Sequence, residues 1–295
     1  MDIESELRAR FGFSGFRDGQ RPVIEALLAG RSALAVLPTG AGKSICYQLP
    51  AVLLDGVALV VSPLIALMKD QIDALAARGV EAARLDSSLP ADAARGVRRG
   101  AKSGELSMLY VAPERFASET FVNWLRTVNV SLVAIDESHC ISEWGHNFRP
   151  DYLKLAQWCE RLRLHPVLAL TATATPEVAG DICRAFAIGE RDHVRTSFQR
   201  ANLAYRNRPT APARRDARLV DELRAAPGEP AIVYVTLQRT AEEVAGMLAG
   251  AGLDAKPYHA GLDGGVRTRI QDDFRAGRLP VVVATIAFGM GIDKP

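Results

Sequence analysis

The sequence predicts an α/β fold made of two parallel-sheet lobes in tandem. Two observations carry that expectation. Short, nearly continuous apolar runs alternate with helical patterns, the signature of strands covered by helices on both faces. The alternation then begins afresh beyond a proline- and arginine-bearing stretch near residues 196–213. A chain of 295 residues is long enough for two domains of ordinary size. A boundary at that stretch gives lobes 1–205 and 206–295.

Taken in order, residues 11–20 carry Phe11, Phe13 and Phe16, which read as core anchors ahead of an amphipathic helix through Val23, Ile24, Ala26, Leu27 and Leu28. Residues 33–37 form the first buried strand, and residues 57–63 the second. A helix follows over 64–78, with Leu64, Leu67, Met68, Ile72 and Leu75 at helical spacing, and stops at Gly79. Residues 106–113, 131–135 and 167–170 supply further strands. In the second lobe a strand at 231–235 precedes a helix near 241–248. Ligands of such sheets collect at the carboxyl ends of the strands.

The first strand leads into Leu37-Pro38-Thr39-Gly40-Ala41-Gly42-Lys43-Ser44, a strand–turn–helix junction suited to a polyphosphate. Gly40 and Gly42 allow close backbone approach, and successive N–H groups point at phosphate oxygens with the positive end of a helix behind them. Lys43 reaches the β- and γ-phosphates, and the Ser44 hydroxyl is a ligand for Mg²⁺. Leu37 stands where the general phosphate-loop pattern has glycine. About twenty residues upstream, Gln20 has the amide geometry to pair with the N6/N7 edge of adenine.

Asp136-Glu137-Ser138-His139 ends another apolar strand. An acidic pair there calls for a cation: Asp136 is placed to hold Mg²⁺, and Glu137 to deprotonate the water that attacks the γ-phosphate. The next loop is dense in aromatics; Trp144 and Phe148 are suited to stack on bases of a single strand, with Arg149 adding charge. Elsewhere, Arg95, Arg98, Arg99 and Lys102, and again Arg214, Arg215 and Arg218, read as solvated helix faces without interleaved aromatics.

Composition narrows the classes. Net charge is +2, so any nucleic-acid groove must be local. The acidic N-terminus lacks the apolar core of a signal peptide, and no apolar run approaches bilayer length, so a cytoplasmic protein is expected. The cysteines at 46, 140, 159 and 183 form no C-x-x-C pair and are expected to be reduced and buried.

Residues 11–295 resemble the core of RecQ-type DNA helicases, with the motifs in order. Phe16-Arg17-Asp18-Gly19-Gln20 resembles the adenine-recognition motif, which adds Arg17 to the nucleotide contacts along with residues 39–44. Residues 37–50 resemble motif I, 62–71 motif Ia, 110–115 the strand-binding motif after it, and 170–174 motif III. The 136–152 run resembles the acidic motif with the family's aromatic-rich loop, Ser138 replacing the usual alanine. The resemblance implies two RecA-like lobes, ATP and Mg²⁺ as cofactors, single-stranded and partly duplex DNA as partner, and 3′→5′ unwinding in DNA repair or recombination. It implies that His139, Thr171 and Thr173 couple hydrolysis to strand movement, that Thr285 contacts DNA, and that Gly291 and Asp293 lie on the nucleotide side. The arginine-rich motif VI is not found before Pro295, so the second lobe is expected to be incomplete and turnover impaired. The strand at 281–283 is expected to lack a neighbour. An ATP- and DNA-binding module without turnover, and an RNA helicase of the same superfamily, are the alternatives.

Overall fold

The computed structural model of the chain describes residues 2–63, 65–86, 89–142, 149–197, 202–285 and 288, with the backbone alone at 65–67. Two compact units result, Met1–Asn202 and Leu203–Pro295. The first contains α1 (Ile3–Phe11), α2 (Gln20–Leu28), β1 (Ala33–Val36), α3 (Ile45–Leu53), β2 (Val57–Val61), α4 (Ile65–Ala76), β3 (Ala82–Leu85) and α5 (Ala91–Ser103). It continues with β4 (Met108–Val111), α6 (Glu119–Leu125), β5 (Val130–Ile135), α7 (Pro150–Leu162), β6 (Val167–Thr171), α8 (Pro176–Ala185) and β7 (His193–Arg195). The second contains α9 (Arg215–Arg224), β8 (Ala231–Tyr234), α10 (Gln238–Gly250), β9 (Ala255–Tyr258), α11 (Gly264–Arg275) and β10 (Val281–Ala284).

The first unit is a seven-stranded parallel sheet in the order β3-β4-β2-β5-β6-β1-β7. Its inner strands are largely apolar because both faces are covered. In β1, Leu34 and Val36 enter one core cluster while Ala33, Ala35 and Leu37 enter the other. That period of two places the two cores on opposite faces of one sheet. Local chemistry sets several helix starts. Ser118 accepts from Phe121 N at the head of α6, and Thr175 accepts from Val178 N ahead of Pro176 in α8.

The alternation therefore gives the parallel architecture that it predicts, and the differences have local causes. The sequence reading passed over β3 and β7. Both are edge strands, and β3 buries only Leu85 fully, so neither has a strong apolar run. Phe11 is buried, but Phe13 is 41% exposed and is no core anchor. In the second unit the order is β8-β10-β9, so the apolar run at 281–284 is the central strand. It pairs in parallel on both sides and is buried, contrary to the expectation that it lacks a neighbour.

Two glycines give a paired test of local conformation. Gly56 turns the chain into β2 at φ 118°, and a Cβ there would lie 2.6 Å from the Asn129 carbonyl oxygen. Gly96 sits within α5, with nothing within 4 Å of a Cβ. Gly96→Ala is expected to raise stability by about 0.5–1 kcal/mol. Gly56→Ala should lower it by more than about 1 kcal/mol. Denaturation midpoints read both, and a neutral Gly56→Ala would contradict this turn.

Candidate nucleotide-binding site

Leu37 is fully buried beneath the loop it opens, which explains a leucine where a general phosphate loop has glycine. The loop carbonyls are turned toward protein donors. Arg17 Nη1 donates to Gly40 O, and Gln20 Nε2 donates to Ala41 O at 2.9 Å and Gly42 O at 3.0 Å. Lys43 Nζ reaches back to Leu37 O at 3.2 Å. Among the described residues, the N–H groups of Gly42, Lys43 and Ser44 meet no protein acceptor. They stand at the start of α3, where an anion is favoured. Gly42 is required here: it holds φ 74°, and a Cβ would fall 2.7 Å from Gln20 Nε2.

Gln20, the expected adenine reader, also holds the loop. It is buried, both Nε2 hydrogens are used by the loop, and Oε1 accepts from Arg17 N at 2.8 Å. Donation to adenine N7 requires Nε2 to release one loop carbonyl. Behind the loop, α3 buries Tyr47 and Gln48. The Tyr47 hydroxyl lies 3.4 Å from that of Tyr110 on β4, and Gln48 Nε2 donates to Gln71 Oε1 on α4 at 2.9 Å. The sequence reading missed these contacts.

The strand order sets the acidic end of the site. β6 lies between β1 and β5, so Thr171 ends between the phosphate loop and Asp136. Its carbonyl accepts from Leu37 N at 3.1 Å. Its hydroxyl donates to Thr173 O at 2.9 Å and faces His139 Nδ1 at 2.9 Å. The hydroxyl proton is directed at Thr173, so His139 Nδ1–H donates to Thr171 Oγ1. The same nitrogen is 3.3 Å from Glu137 Oε2. Burial works to lower the His139 pKa, but Cys140 and the Glu137 carboxylate raise it to about 9. The structure thus brings Glu137, His139, Thr171 and Thr173 into one chain of contacts.

Burial, and then the neighbouring Glu137 charge, push the Asp136 carboxyl up to about 6. Burial lowers Lys43, while Asp136 and Glu137 act to raise it. These opposite charges sense one another without an ion pair within 4 Å. Glu137 adopts φ 51°, a left-handed conformation that costs a non-glycine residue on the order of 1–3 kcal/mol and clusters at functional sites. Nothing in the sequence signals it.

The base of the aromatic-rich loop is pinned on two sides. Arg149 N donates to Cys140 O at 3.1 Å, the buried Tyr152 hydroxyl donates to Asp136 O at 3.0 Å, and Ser142 Oγ donates to Asp181 on α8 at 2.7 Å. Trp144 and Phe148 lie outside the described residues, as do Gly291 and Asp293. Thr39 and Gly40 are exposed at the loop tip. In the second unit, Thr285 N donates to Tyr258 O at 3.1 Å at the end of β9. The four cysteines are free; three are buried and Cys183 is partly so.

Residues 17–182 match the DEAD/DEAH box helicase family, and residues 214–295 match the helicase conserved C-terminal domain. The chain belongs to the DEAD/DEAH box helicase family. It is 43% identical over 291 residues to ATP-dependent DNA helicase RecQ of Haemophilus influenzae, covering 98% of this chain and 46% of that protein. It is 42% identical to the Bacillus subtilis protein of the same name, covering 99% of this chain and 49% of the relative. The core therefore spans about half the length of these relatives. Its fold is similar to that of Mycobacterium smegmatis helicase Lhr bound to ssDNA and AMP-PNP, with a TM-score of 0.71 at 22% identity. That match covers 99% of this chain and 42% of the other. DUF1998 helicase MrfA bound to DNA gives 0.76 at 18% identity, covering 99% and 43%. These likenesses support tandem RecA-like lobes.

Two expectations follow from this helicase core. Ser138 is fully buried, and its Oγ has no hydrogen-bond partner. Ser138→Ala should raise the unfolding midpoint, by about 1 kcal/mol in stability; a destabilised variant would reveal a partner for the hydroxyl. The second concerns Asp136. Its folded-state pKa lies above the ordinary aspartate value, so protonation favours the fold. The nucleotide-free protein is therefore stabilised by this group below the ordinary value and loses that stability as pH rises through about 6. Asp136→Asn should raise the midpoint at pH 8, by on the order of 2 kcal/mol, and less at pH 5.5. An equal effect at both pH values would contradict the assignment.

Proposed function

We propose that this chain is the motor core of an ATP-dependent DNA helicase that hydrolyses ATP to move 3′→5′ along a single strand and open partly duplex DNA. The observation that carries the reading is the contact chain Glu137–His139–Thr171–Thr173 beside a loop whose N–H groups await an anion. Lys43 and residues 39–44 cradle the triphosphate, with Arg17 and Gln20 behind them. Glu137 serves as base for the attacking water, a role suited to a half-buried carboxylate beside a charged imidazole. Movement of the Glu137 carboxylate is felt at Thr173 through two shared atoms, Nδ1 of His139 and Oγ1 of Thr171.

Mg²⁺ fits this site. Asp136 is a half-buried carboxylate without an ion pair, and such a charge calls for a cation. Among the described residues no cluster of three His, Cys, Asp or Glu could hold a metal alone. One carboxylate, the Ser44 hydroxyl and the nucleotide's phosphates are the usual setting for magnesium. When bound, the ion neutralises charge developing on the phosphate oxygens.

Trp144, Phe148 and Arg149 read the strand on the first lobe, and Thr285 contacts it on the second. Gly291 and Asp293 complete the nucleotide side. The relatives named ATP-dependent DNA helicase RecQ support DNA as the substrate, and we take repair or recombination as the setting. No helix among the described residues is long and apolar enough to cross a membrane, and we place the protein in the cytoplasm.

Lys43→Ala should abolish binding of a fluorescent ATP analogue, because the charge that meets the β/γ-phosphates is gone. Glu137→Gln should keep that binding while ATP turnover stimulated by single-stranded DNA falls at least about 100-fold. Equal loss of nucleotide binding in both variants would remove Glu137 from the role of base.

A further inference from the structure

The basic run on α5 is not the plain solvated face that its sequence suggests. α6 brings Trp124 against it, and the Arg98 guanidinium lies 5.7 Å from the centre of that ring. Trp124 leans on Phe121 at 5.7 Å, and Phe121 in turn carries the Arg115 guanidinium at 5.6 Å. Two cations thus rest on one aromatic tray. Arg98 Nε and Arg115 Nε are buried without a hydrogen-bond partner. Burial and the like charge of Arg98 both hold Arg115 below its ordinary value, with Asp86 acting the other way. Arg98, Arg99, Lys102, Ser103 and Trp124 line a cavity of about 410 Å³.

Neighbouring carboxylates leave this charge uncompensated. Asp86 pairs with Arg84 at 3.2 Å, and the exposed Glu105 turns its carboxylate toward Gly100, 3.5 Å from where a Cβ there would lie. Arg95, earlier on α5, pairs with Asp92. Among the described residues, Arg98, Arg99, Lys102 and Arg115 have no ion pair. The tier also has a direction. Arg115 sits in the 3₁₀ turn after β4, at the carboxyl ends of the strands, whereas Arg98, Arg99 and Lys102 lie in the second half of α5, which leads back toward the start of β4.

We propose that this face of the first unit is a second nucleic-acid contact, which takes the phosphodiester backbone of the single strand beyond the rim at residues 110–115. The inference rests on the strand-binding reading above. Its ligand is the backbone, not the bases, because Arg98 and Phe121 already pack against the Trp124 ring. Recognition is therefore indifferent to sequence and sensitive to salt. Continuity with the rim favours a nucleic acid over an acidic peptide.

The test uses the chain with Arg99→Gln and Lys102→Gln together, both exposed residues whose loss leaves the aromatic tray in place. Binding is measured by anisotropy across a salt series, with a short oligonucleotide of about 8 nucleotides and one roughly three times longer. For the longer strand, the slope of log affinity against log salt should fall by about 1.4, the loss of two phosphate contacts. Affinity at moderate salt should drop roughly tenfold, and the short strand should bind unchanged. Arg95→Gln, whose charge is already paired, should leave both slopes unchanged. An unaltered slope for the longer strand overturns the proposal, as does an equal drop with Arg95→Gln. So does an unaltered slope combined with lost binding of a polyglutamate peptide, which would assign the face to an acidic protein. A parent chain that binds neither strand overturns the strand-binding reading as well; one that binds both, with an unchanged double variant, overturns this inference alone.

Discussion

An ammonium and a carboxylate that sense each other without forming an ion pair set the terms for the first lobe. Lys43 and Asp136 are both half-buried: the ammonium turns back onto Leu37 O, and the carboxylate is tied to the Glu137 N–H at 3.0 Å. Each is held away from its ordinary pKa by burial, in the direction that disfavours its charge. A direct bridge would satisfy both and close the site. The strand order prevents this by placing β6 between the strands that carry them. In the function proposed here, a polyanion at the lysine and a cation at the aspartate relieve the electrostatic cost that the nucleotide-free fold bears there.

The same intervening strand explains how information leaves the site. Thr171 is bonded on its backbone to the root of the phosphate loop and on its side chain to the acidic segment. Its hydroxyl has one proton, already directed at Thr173 O, so it can only accept from His139. A change in the charge or position of Glu137 alters the donor on His139 and, through one oxygen, the backbone at Thr173. The strained φ of Glu137 belongs to this arrangement, because a residue held in a sparsely populated conformation is one that surrounding contacts over-determine. Tyr152 and Arg149 carry the constraint to the base of the aromatic-rich loop.

What was legible in the sequence was whatever depends on local pattern. Strands such as β1 and β2 are apolar at every position because two layers of helices cover them, and the phosphate loop declares itself by glycine and lysine spacing. Features built from distant residues were not legible. Gln20 bonds the loop across more than twenty positions, and its use there, not its amide geometry, decides what it can read in the nucleotide-free protein. The Tyr47–Tyr110 contact joins a helix and a strand that no period links. Edge strands β3 and β7 escaped because a strand with one open side lacks a continuous apolar run. The tray beneath α5 escaped for the opposite reason: the basic residues were visible, but their aromatic partners lie two elements away.

Charge pairing separates the structural ions of the first lobe from those that await a ligand. Where an arginine only ties elements together, the chain provides its carboxylate: Arg31 reaches Asp192 at 3.1 Å between the end of α2 and β7, and Arg84 has Asp86. A buried or half-buried charge without such a partner is expensive, and a stable fold carries few of them. Among the described residues of the first lobe, two places hold such charges close together: the phosphate loop with Asp136, and the Arg98–Arg115 tier. A net charge of +2 hides this distribution, because exposed pairs along the helices cancel almost everything else. The first place presents both signs, as the metal-bound nucleotide proposed here requires. The second takes only anions, in a row, as a polymer of phosphates requires.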